Sequence, residues 1–186
     1  MRYLVVVFFM LLIVTGPLRA EVSYKPADVQ TLDWEQLIPE NFSLDDVLDN
    51  LEIPDLLDDQ DPKAQLYMDQ MEAALNSAPV VPDMDKKLVK IPGFIVPVQS
   101  NGSLVSEFFL VPYFGACIHV PPPPSNQIIY VYYEAGHMLE TMYDPVWIIG
   151  LLETETVNND VAVSGYSLTA YAIEPYDEEE ESDSVN

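Results

Sequence analysis

The residues with the clearest chemical potential are Cys117 and His119, which lie two positions apart in the segment FGACIHVPPPP. If that segment is extended, both side chains point to the same side, because side chains alternate along a strand. A thiolate and an imidazole are ligands that suit Zn²⁺ or copper. Zn²⁺ takes four ligands, so His137, a carboxylate or water must complete the set. The sequence therefore predicts a candidate zinc or copper site at Cys117, His119 and His137.

The same pair has a structural interpretation that stays equally open. Free cysteine is often a small buried hydrophobe, and His119 could hydrogen-bond to the backbone of the proline run that follows it. Catalysis is the weaker alternative, because a cysteine nucleophile needs a histidine base and a third group that orients the base. The sequence also contains no GxSxG, HExxH or CxxC motif. We therefore expect no catalytic residue.

Four consecutive prolines, Pro121 to Pro124, follow the candidate pair. Proline lacks a backbone N–H and favours the polyproline II conformation, so this run is stiff. One interpretation is a protruding ledge that docks on an aromatic groove of a partner. The other, which we favour, is a rigid connection that holds the Cys/His segment in place.

The elements that must position this segment are strands. Between residues 86 and 176, apolar runs alternate with turn signals at Ser100-Asn101-Gly102, at the proline run, at Gly136 and at Asn158-Asn159-Asp160. Five strands are predicted: Leu88–Val98, Leu104–Phe114, Gln127–Glu134, Pro145–Thr154 and Tyr166–Glu174. Five short strands favour closure, so the predicted fold is mainly β, a small five-stranded OB-like barrel, with a small β-sandwich as the alternative.

Residues 21–85 predict an acidic helical arm before the barrel. Ser43 can cap a short helix that Pro54 ends. A second helix is predicted from Asp61-Pro62 to about Asn76, with one apolar face formed by Ala64, Met68, Met71 and Leu75. Methionines at this spacing are expected to pack in a core rather than bind a soft metal. Trp34 and Leu37 are expected to anchor the arm on the barrel.

Residues 1–20 have the layout of a secretory signal peptide. Arg2 precedes the apolar run from Leu4 to Val14, and Thr15-Gly16-Pro17 ends that run. The run is shorter than the roughly 20 apolar residues of a membrane helix. We expect cleavage near Ala20 and a soluble periplasmic protein without a direct membrane anchor. Residues 177–186, DEEEESDSVN, predict a disordered acidic tail.

The charge of the chain restricts its partners. Its 7 lysines and arginines stand against 31 acidic residues, a formal net charge of −24, and both arginines lie in the predicted leader. Such a surface repels phosphate backbones and anionic lipid headgroups, which argues against nucleic acid and membranes as partners. Cations and basic partners are favoured. The single cysteine cannot form an intramolecular disulfide, which leaves a free thiol, a metal ligand or an intermolecular bridge.

Three stretches carry a resemblance to a known family: VKIPGFIVP at 89–97, FFLVPYFGACIHVPPPPSNQIIYV at 108–131 and PVWIIG at 145–150. Together they resemble the exported bacterial family called domain of unknown function 3299, or DUF3299, over roughly residues 80 to 175. The resemblance implies a Gram-negative periplasmic or envelope protein, often encoded near transport components and in some cases near zinc-responsive genes. It implies no established reaction.

Two function hypotheses follow from these observations. The first is a periplasmic protein that binds or delivers zinc or copper through Cys117 and His119. The second is a non-catalytic adaptor that contacts components of an envelope transporter. A cysteine-dependent enzyme is the least favoured class.

Overall fold

The structure is a computed structural model that describes residues 28–51, 63–101, 103–116 and 122–176. The predicted leader, the acidic tail, the helix start at Asp61-Pro62 and the pair Cys117 and His119 lie outside these residues.

Strands dominate the described part of the chain. Two helices, α1 (Leu44–Asp49) and α2 (Ala64–Asn76), lie in the arm, together with short 3-10 turns at Trp34–Leu37 and Pro82–Met84. The strands are β1 (Gln30–Thr31), β2 (Lys87–Asn101), β3 (Leu104–Val111), β4 (Ile129–Met138), β5 (Val146–Glu153), β6 (Val157–Asn158), β7 (Val163–Ser164) and β8 (Tyr166–Pro175).

Five of these strands form a barrel in the order β2-β3-β4-β8-β5, and pairing of β5 with β2 closes it. The long strand β2 makes closure possible, because Lys87–Gly93 pairs with β5 and Phe94–Asn101 pairs with β3. All neighbours are antiparallel except β4 and β8, which are parallel. This is the topology of an OB fold. The predicted barrel is confirmed, and the β-sandwich alternative is wrong because the sheet closes on itself.

The five predicted strands match the barrel strands, with differences at their ends. β2 continues to Asn101, beyond the predicted end at Val98 and into the predicted turn. β3 ends at Val111 rather than Phe114, because Pro112 cannot donate to the ladder and the chain turns away. β4 continues through Gly136 to Met138, where the sequence predicted a turn. Gly136 has a φ of 70° and lies in an irregular stretch of the β3–β4 ladder. This glycine therefore accommodates a bulge within a strand rather than a turn between strands.

The arm fills one end of the barrel. Leu32, Trp34, Leu37 and Met84 belong to the same buried cluster as the inward side chains of the five strands. Trp34 also donates its indole Nε1–H to the carbonyl oxygen of Pro92 at 2.7 Å. The prediction that Trp34 and Leu37 anchor the arm is therefore confirmed.

The two helices contribute little to this packing. Ser43 caps α1 as predicted, since its hydroxyl accepts the backbone N–H of Asp46 at 3.2 Å. On α2, Leu75 is buried, but Met68 is 39% exposed, so the expectation that Met68 packs in a core is wrong. Only the last turn of α2 reaches buried surroundings. No helix in the described ranges is long and apolar enough to cross a membrane.

A set of polar contacts fixes the arm to the barrel end. The buried hydroxyl of Tyr166, at the start of β8, donates to the carbonyl oxygen of Leu37 at 2.9 Å and accepts the N–H of Val81 at 2.7 Å. Nearby, the Asn126 amide donates to the carbonyl oxygen of Pro79 at 2.9 Å. One strand residue thus satisfies backbone groups from two separate arm segments.

This arrangement predicts that Tyr166→Phe destabilises the protein. The variant keeps the ring but leaves the partly buried N–H of Val81 and the buried carbonyl of Leu37 without their partner, which costs about 1–3 kcal/mol of unfolding free energy. Chemical denaturation followed by tryptophan fluorescence measures the loss. Tyr113→Phe is the matched control, because Tyr113 is exposed. If the two variants have the same free energy of unfolding, the Tyr166 hydroxyl does not stabilise the junction of the arm and the barrel.

Candidate functional site

The barrel wall carries a second apolar cluster on its outer side. Phe108 and Leu110 of β3 point into the barrel, whereas Phe109 and Val111 point outward. The outward residues are buried all the same, because residues 112–116 and the β6–β7 hairpin lie over them. This outer cluster consists of Phe109, Val111, Ala116 and Ile128, with Phe94, Val96, Val98, Tyr130 and Ala162 packed against it.

The predicted Cys/His segment follows directly after a residue of the outer cluster. Ala116, the last described residue before Cys117, is 1% exposed and belongs to this cluster. On the other side of the segment, Pro123 and Ser125 are buried, and Ser125 accepts the Gly165 N–H at 2.6 Å. Both described flanks are therefore packed on the barrel. Because Cys117 and His119 lie outside the described residues, their predicted pairing stays a prediction.

His137 lies elsewhere on the barrel. It is opposite Val105 in the β3–β4 ladder, and Val105 points into the main core, so His137 faces the inner side of the wall. Burial lowers the pKa of its imidazole, which favours the neutral form that binds metal. Val105 and Val111 are six positions apart on β3, roughly 20 Å, and Ala116 packs at the Val111 end. The described residues contain no group of three or more His, Cys, Asp or Glu that could hold a metal ion.

A carboxylate-bearing cavity of about 240 Å³ adjoins the proline run. Pro122 and Ile128 form one side, and Glu72 of α2 and Asp160 of the β6–β7 connection supply the charges. The amide oxygen of Asn159 accepts the N–H groups of Val161 and Ala162 at 2.8 and 3.2 Å, which fixes the connection locally. The cavity thus brings acidic side chains next to a described flank of the Cys/His segment.

Phe114 and Tyr143, from two different connections, meet over the outer side of β2, and their chain neighbours Tyr113 and Met142 are also exposed. We call this set the loop patch: Tyr113, Phe114, Met142 and Tyr143. Phe114 and Tyr143 have ring centroids 4.7 Å apart, and Phe114 also contacts Phe94 at 6.3 Å. Phe114 is 43% exposed and Tyr143 is 68% exposed. The rings are held by each other yet remain open to solvent.

A tyrosine–glutamate pair lies beside the outer cluster. The Tyr130 hydroxyl donates to Glu107 Oε2 at 2.9 Å, and the Tyr130 ring packs edge-on against Phe109. Burial, and then the hydrogen bond and negative charge of Glu107, raise the pKa of Tyr130 to about 12. Tyr130 is therefore a protonated hydrogen-bond donor at neutral pH.

Comparison with known proteins gives the family. The sequence matches a family described as "Protein of unknown function (DUF3299)" over residues 34–175. The chain belongs to the DUF3299 family. No curated protein shows significant similarity to it.

Solved structures include a member of the DUF3299 family. The crystal structure of a DUF3299 family protein from Pseudomonas aeruginosa PAO1 is similar to this chain, with 37% identity and a TM-score of 0.60. The match covers 80% of this chain and 97% of that one. A protein described as OBody AM3L09 bound to hen egg-white lysozyme has 17% identity and a TM-score of 0.34, over 52% of this chain and 88% of that one. The second similarity is too low to support an inference.

Sequence reasoning missed the loop patch and the Tyr130–Glu107 pair. Aromatic residues inside turn segments, as in PYF at 112–114 and MYD at 142–144, were the available signal for the patch, because turns usually favour polar residues. No comparable signal existed for the pair. Glu107 and Tyr130 are 23 positions apart, and only strand register brings them together.

The Tyr130–Glu107 contact predicts a specific titration. Glu107→Gln should lower the pKa of Tyr130 from about 12 towards its ordinary value without reaching it, because burial, the largest cause, remains. In the parent, the unfolded state loses the Tyr130 proton first as the pH rises above 10, so the stability from this group is present below pH 10 and lost towards pH 12. NMR titration of ¹³C-labelled tyrosine measures the pKa.

The control for this titration is Glu35→Gln, which removes one exposed charge on the arm and should leave Tyr130 unchanged. Titration of Tyr130 near pH 10 in the parent protein contradicts the described contact.

Proposed function

We propose that this DUF3299 protein is an exported, non-catalytic binding module of the bacterial cell envelope that contacts a protein partner through the loop patch. The observation that carries the proposal is the contact between Phe114 and Tyr143, two exposed rings held 4.7 Å apart on different connections. Aromatic residues that are ordered before binding lose little conformational entropy when a partner covers them. For this reason they are common energetic centres of protein interfaces.

The surroundings of the loop patch support a docking role. The outer cluster lies beneath it and fixes the connection at 112–116, because Ala116 is buried there. Met142 adds a flexible apolar side chain that is 48% exposed. Exposed apolar side chains that cluster in this way mark interaction surfaces more often than isolated ones do.

The location and the type of partner come from the sequence. The predicted leader supports export to the periplasm, and the family resemblance supports an association with envelope transport. The net charge of −24 favours a partner with a basic surface, because like charges repel and opposite charges speed association. The partner in this proposal is therefore a basic surface on an envelope transport component.

Site-specific photo-crosslinking in the native host tests the proposal. A benzoylphenylalanine placed at Met142 should form a discrete adduct with an envelope transport protein, identified by mass spectrometry. The adduct should disappear when Phe114→Ser and Tyr143→Ser are added, because the rings that hold the partner are lost.

The matched control places the same probe at Leu66, an equally apolar and exposed residue on α2, where no adduct is expected. An adduct of equal yield at both positions, or one that survives the loss of both rings, refutes the proposal.

Metal binding is a second candidate function, and the cavity beside Pro122 favours it. Glu72 and Asp160 line this cavity together with Pro122, which follows the segment of Cys117 and His119 in the sequence. A thiolate, an imidazole and a carboxylate form a ligand set that suits Zn²⁺, and the thiolate also suits Cu⁺.

This candidate predicts that reduced mature protein binds about one Zn²⁺ or Cu⁺ per chain. Cys117→Ser and His119→Ala should each abolish tight binding, and Asp160→Asn should weaken it. Affinity should fall as the pH drops through the histidine range, because the ligands must lose their protons. Competition with a chromophoric chelator measures each affinity.

His137→Ala is the control for metal binding, since His137 lies opposite Val105 on the inner side of the barrel wall, and it should bind metal as the parent does. Unchanged binding by Cys117→Ser and His119→Ala shows that the pair is not a metal site.

A further inference from the structure

The outer face of β4 and β8 contains a groove that the loop patch does not include. Its volume is about 250 Å³. Two tyrosines, two glutamates and two hydroxyl residues define it, and we call it the tyrosine groove: Tyr130, Tyr132, Glu153, Glu155, Ser167 and Thr169. Val157 and Leu168 complete its lining.

Strand register orders these side chains into two rows. In the first row, Tyr132 lies between Glu107 of β3 and Thr169 of β8. In the second row, Tyr130 pairs with Ser167, and Ser167 pairs with Glu153 of β5. Neighbouring strands are about 4.8 Å apart, so each row crosses the face in steps of that size. Glu107 therefore adjoins Tyr132 on the β3 side of the tyrosines, and Glu153 lies two strands from Tyr130 on the β5 side.

The flanking carboxylates keep their negative charge available. Glu107 accepts the Tyr130 hydroxyl, and Glu155 accepts the Ser167 hydroxyl at 3.2 Å. The ion pairs among the described residues join Lys86 to Asp85 and Lys90 to Glu174, so none of them involves Glu107, Glu153 or Glu155. Hydroxyl donors orient these carboxylates without neutralising them.

An aromatic face between carboxylates is suited to an organic cation. Ammonium and guanidinium groups are attracted to the face of a tyrosine ring and form charge-assisted hydrogen bonds with carboxylates. Tyr132 is 45% exposed, so its ring is accessible to a ligand. An anionic ligand would meet the carboxylates of Glu153 and Glu155 instead.

We propose that the tyrosine groove binds a lysine or arginine side chain in a basic segment of the protein partner. The aliphatic stem of such a side chain would lie against Val157 while its charged end meets Glu153 and Glu155. This inference rests on the proposed binding function and specifies the chemistry of the partner.

A peptide segment is the favoured occupant because the groove and the loop patch both border the outer cluster, and a single extended chain can contact both. Tyr130 packs on Phe109 of the outer cluster, Phe94 packs against the same cluster, and Phe94 contacts Phe114 of the patch. An extended partner can therefore place apolar residues on the patch and a basic residue in the groove.

Fluorescence anisotropy with a labelled peptide of alternating lysine and alanine tests the groove in the full-length mature protein. At an ionic strength of about 0.15 M, screening removes most long-range attraction. The peptide should bind, and Tyr132→Leu and the pair Glu153→Gln with Glu155→Gln should each weaken binding at least tenfold. A peptide of alternating glutamate and alanine should not bind.

Two matched variants separate the groove from overall charge. Tyr132→Phe keeps the aromatic face, and the pair Glu35→Gln with Glu40→Gln removes the same charge from the exposed arm, so each should change affinity less than about twofold. Equal weakening by both glutamate pairs, or no effect of Tyr132→Leu, overturns the proposal. So does spermidine competition at an affinity equal to that of the peptide, because the ligand is then a small polycation.

The two proposals can fail separately. Loss of peptide binding in the groove variants with no crosslink at Met142 supports the groove and refutes the loop patch. If a crosslink forms at Met142 but both glutamate pairs weaken peptide binding equally, the loop-patch proposal is supported and the groove proposal is overturned.

Discussion

The hydroxyl of Tyr166 joins the arm to the barrel, and the closed core depends on that junction. It donates to Leu37 and accepts from Val81, which are residues that the sequence separates by the whole of α1 and α2. A small barrel excludes water from its interior only if its ends are covered. Here the arm supplies the cover, since Leu32, Trp34 and Leu37 are buried together with the inward residues of the strands. Without this junction, the arm would leave apolar strand residues open at one end.

Strand β3 is covered on its outer face as well as on its inner face. β3 has four consecutive buried residues, from Phe108 to Val111, so both faces of this strand are covered. The inward pair belongs to the barrel core, and the outward pair is covered by residues 112–116 and by the β6–β7 hairpin. OB folds often bind ligands on this side of the barrel. In this protein, part of that side is packed by its own chain, and the loop patch and the tyrosine groove are described surfaces that remain open.

The loop patch is apolar, whereas the tyrosine groove carries acidic side chains, and the net charge of the chain bears on both surfaces. A surface with a net charge of −24 attracts basic partners at long range, but such attraction is weak and screened by salt. Affinity at short range requires contacts that exclude water. In our proposal, the rings of Phe114 and Tyr143 supply apolar contacts, while the tyrosine groove with Tyr132, Glu153 and Glu155 holds a positive charge. In our proposal, long-range attraction and short-range recognition therefore come from different residues.

The sequence by itself determined which segments form strands, because a period of two in apolar residues and clusters of turn residues are local signals. It also determined the barrel class, the Ser43 cap and the anchoring role of Trp34 and Leu37. Tertiary structure alone decided that β4 and β8 are parallel, that β2 pairs with both β3 and β5, and that Gly136 lies within a strand. It also decided the exposure of Met68 and the meeting of Glu107, Tyr130 and Glu153. These outcomes depend on register between strands that are far apart in the chain, and no local pattern of residue types encodes that register.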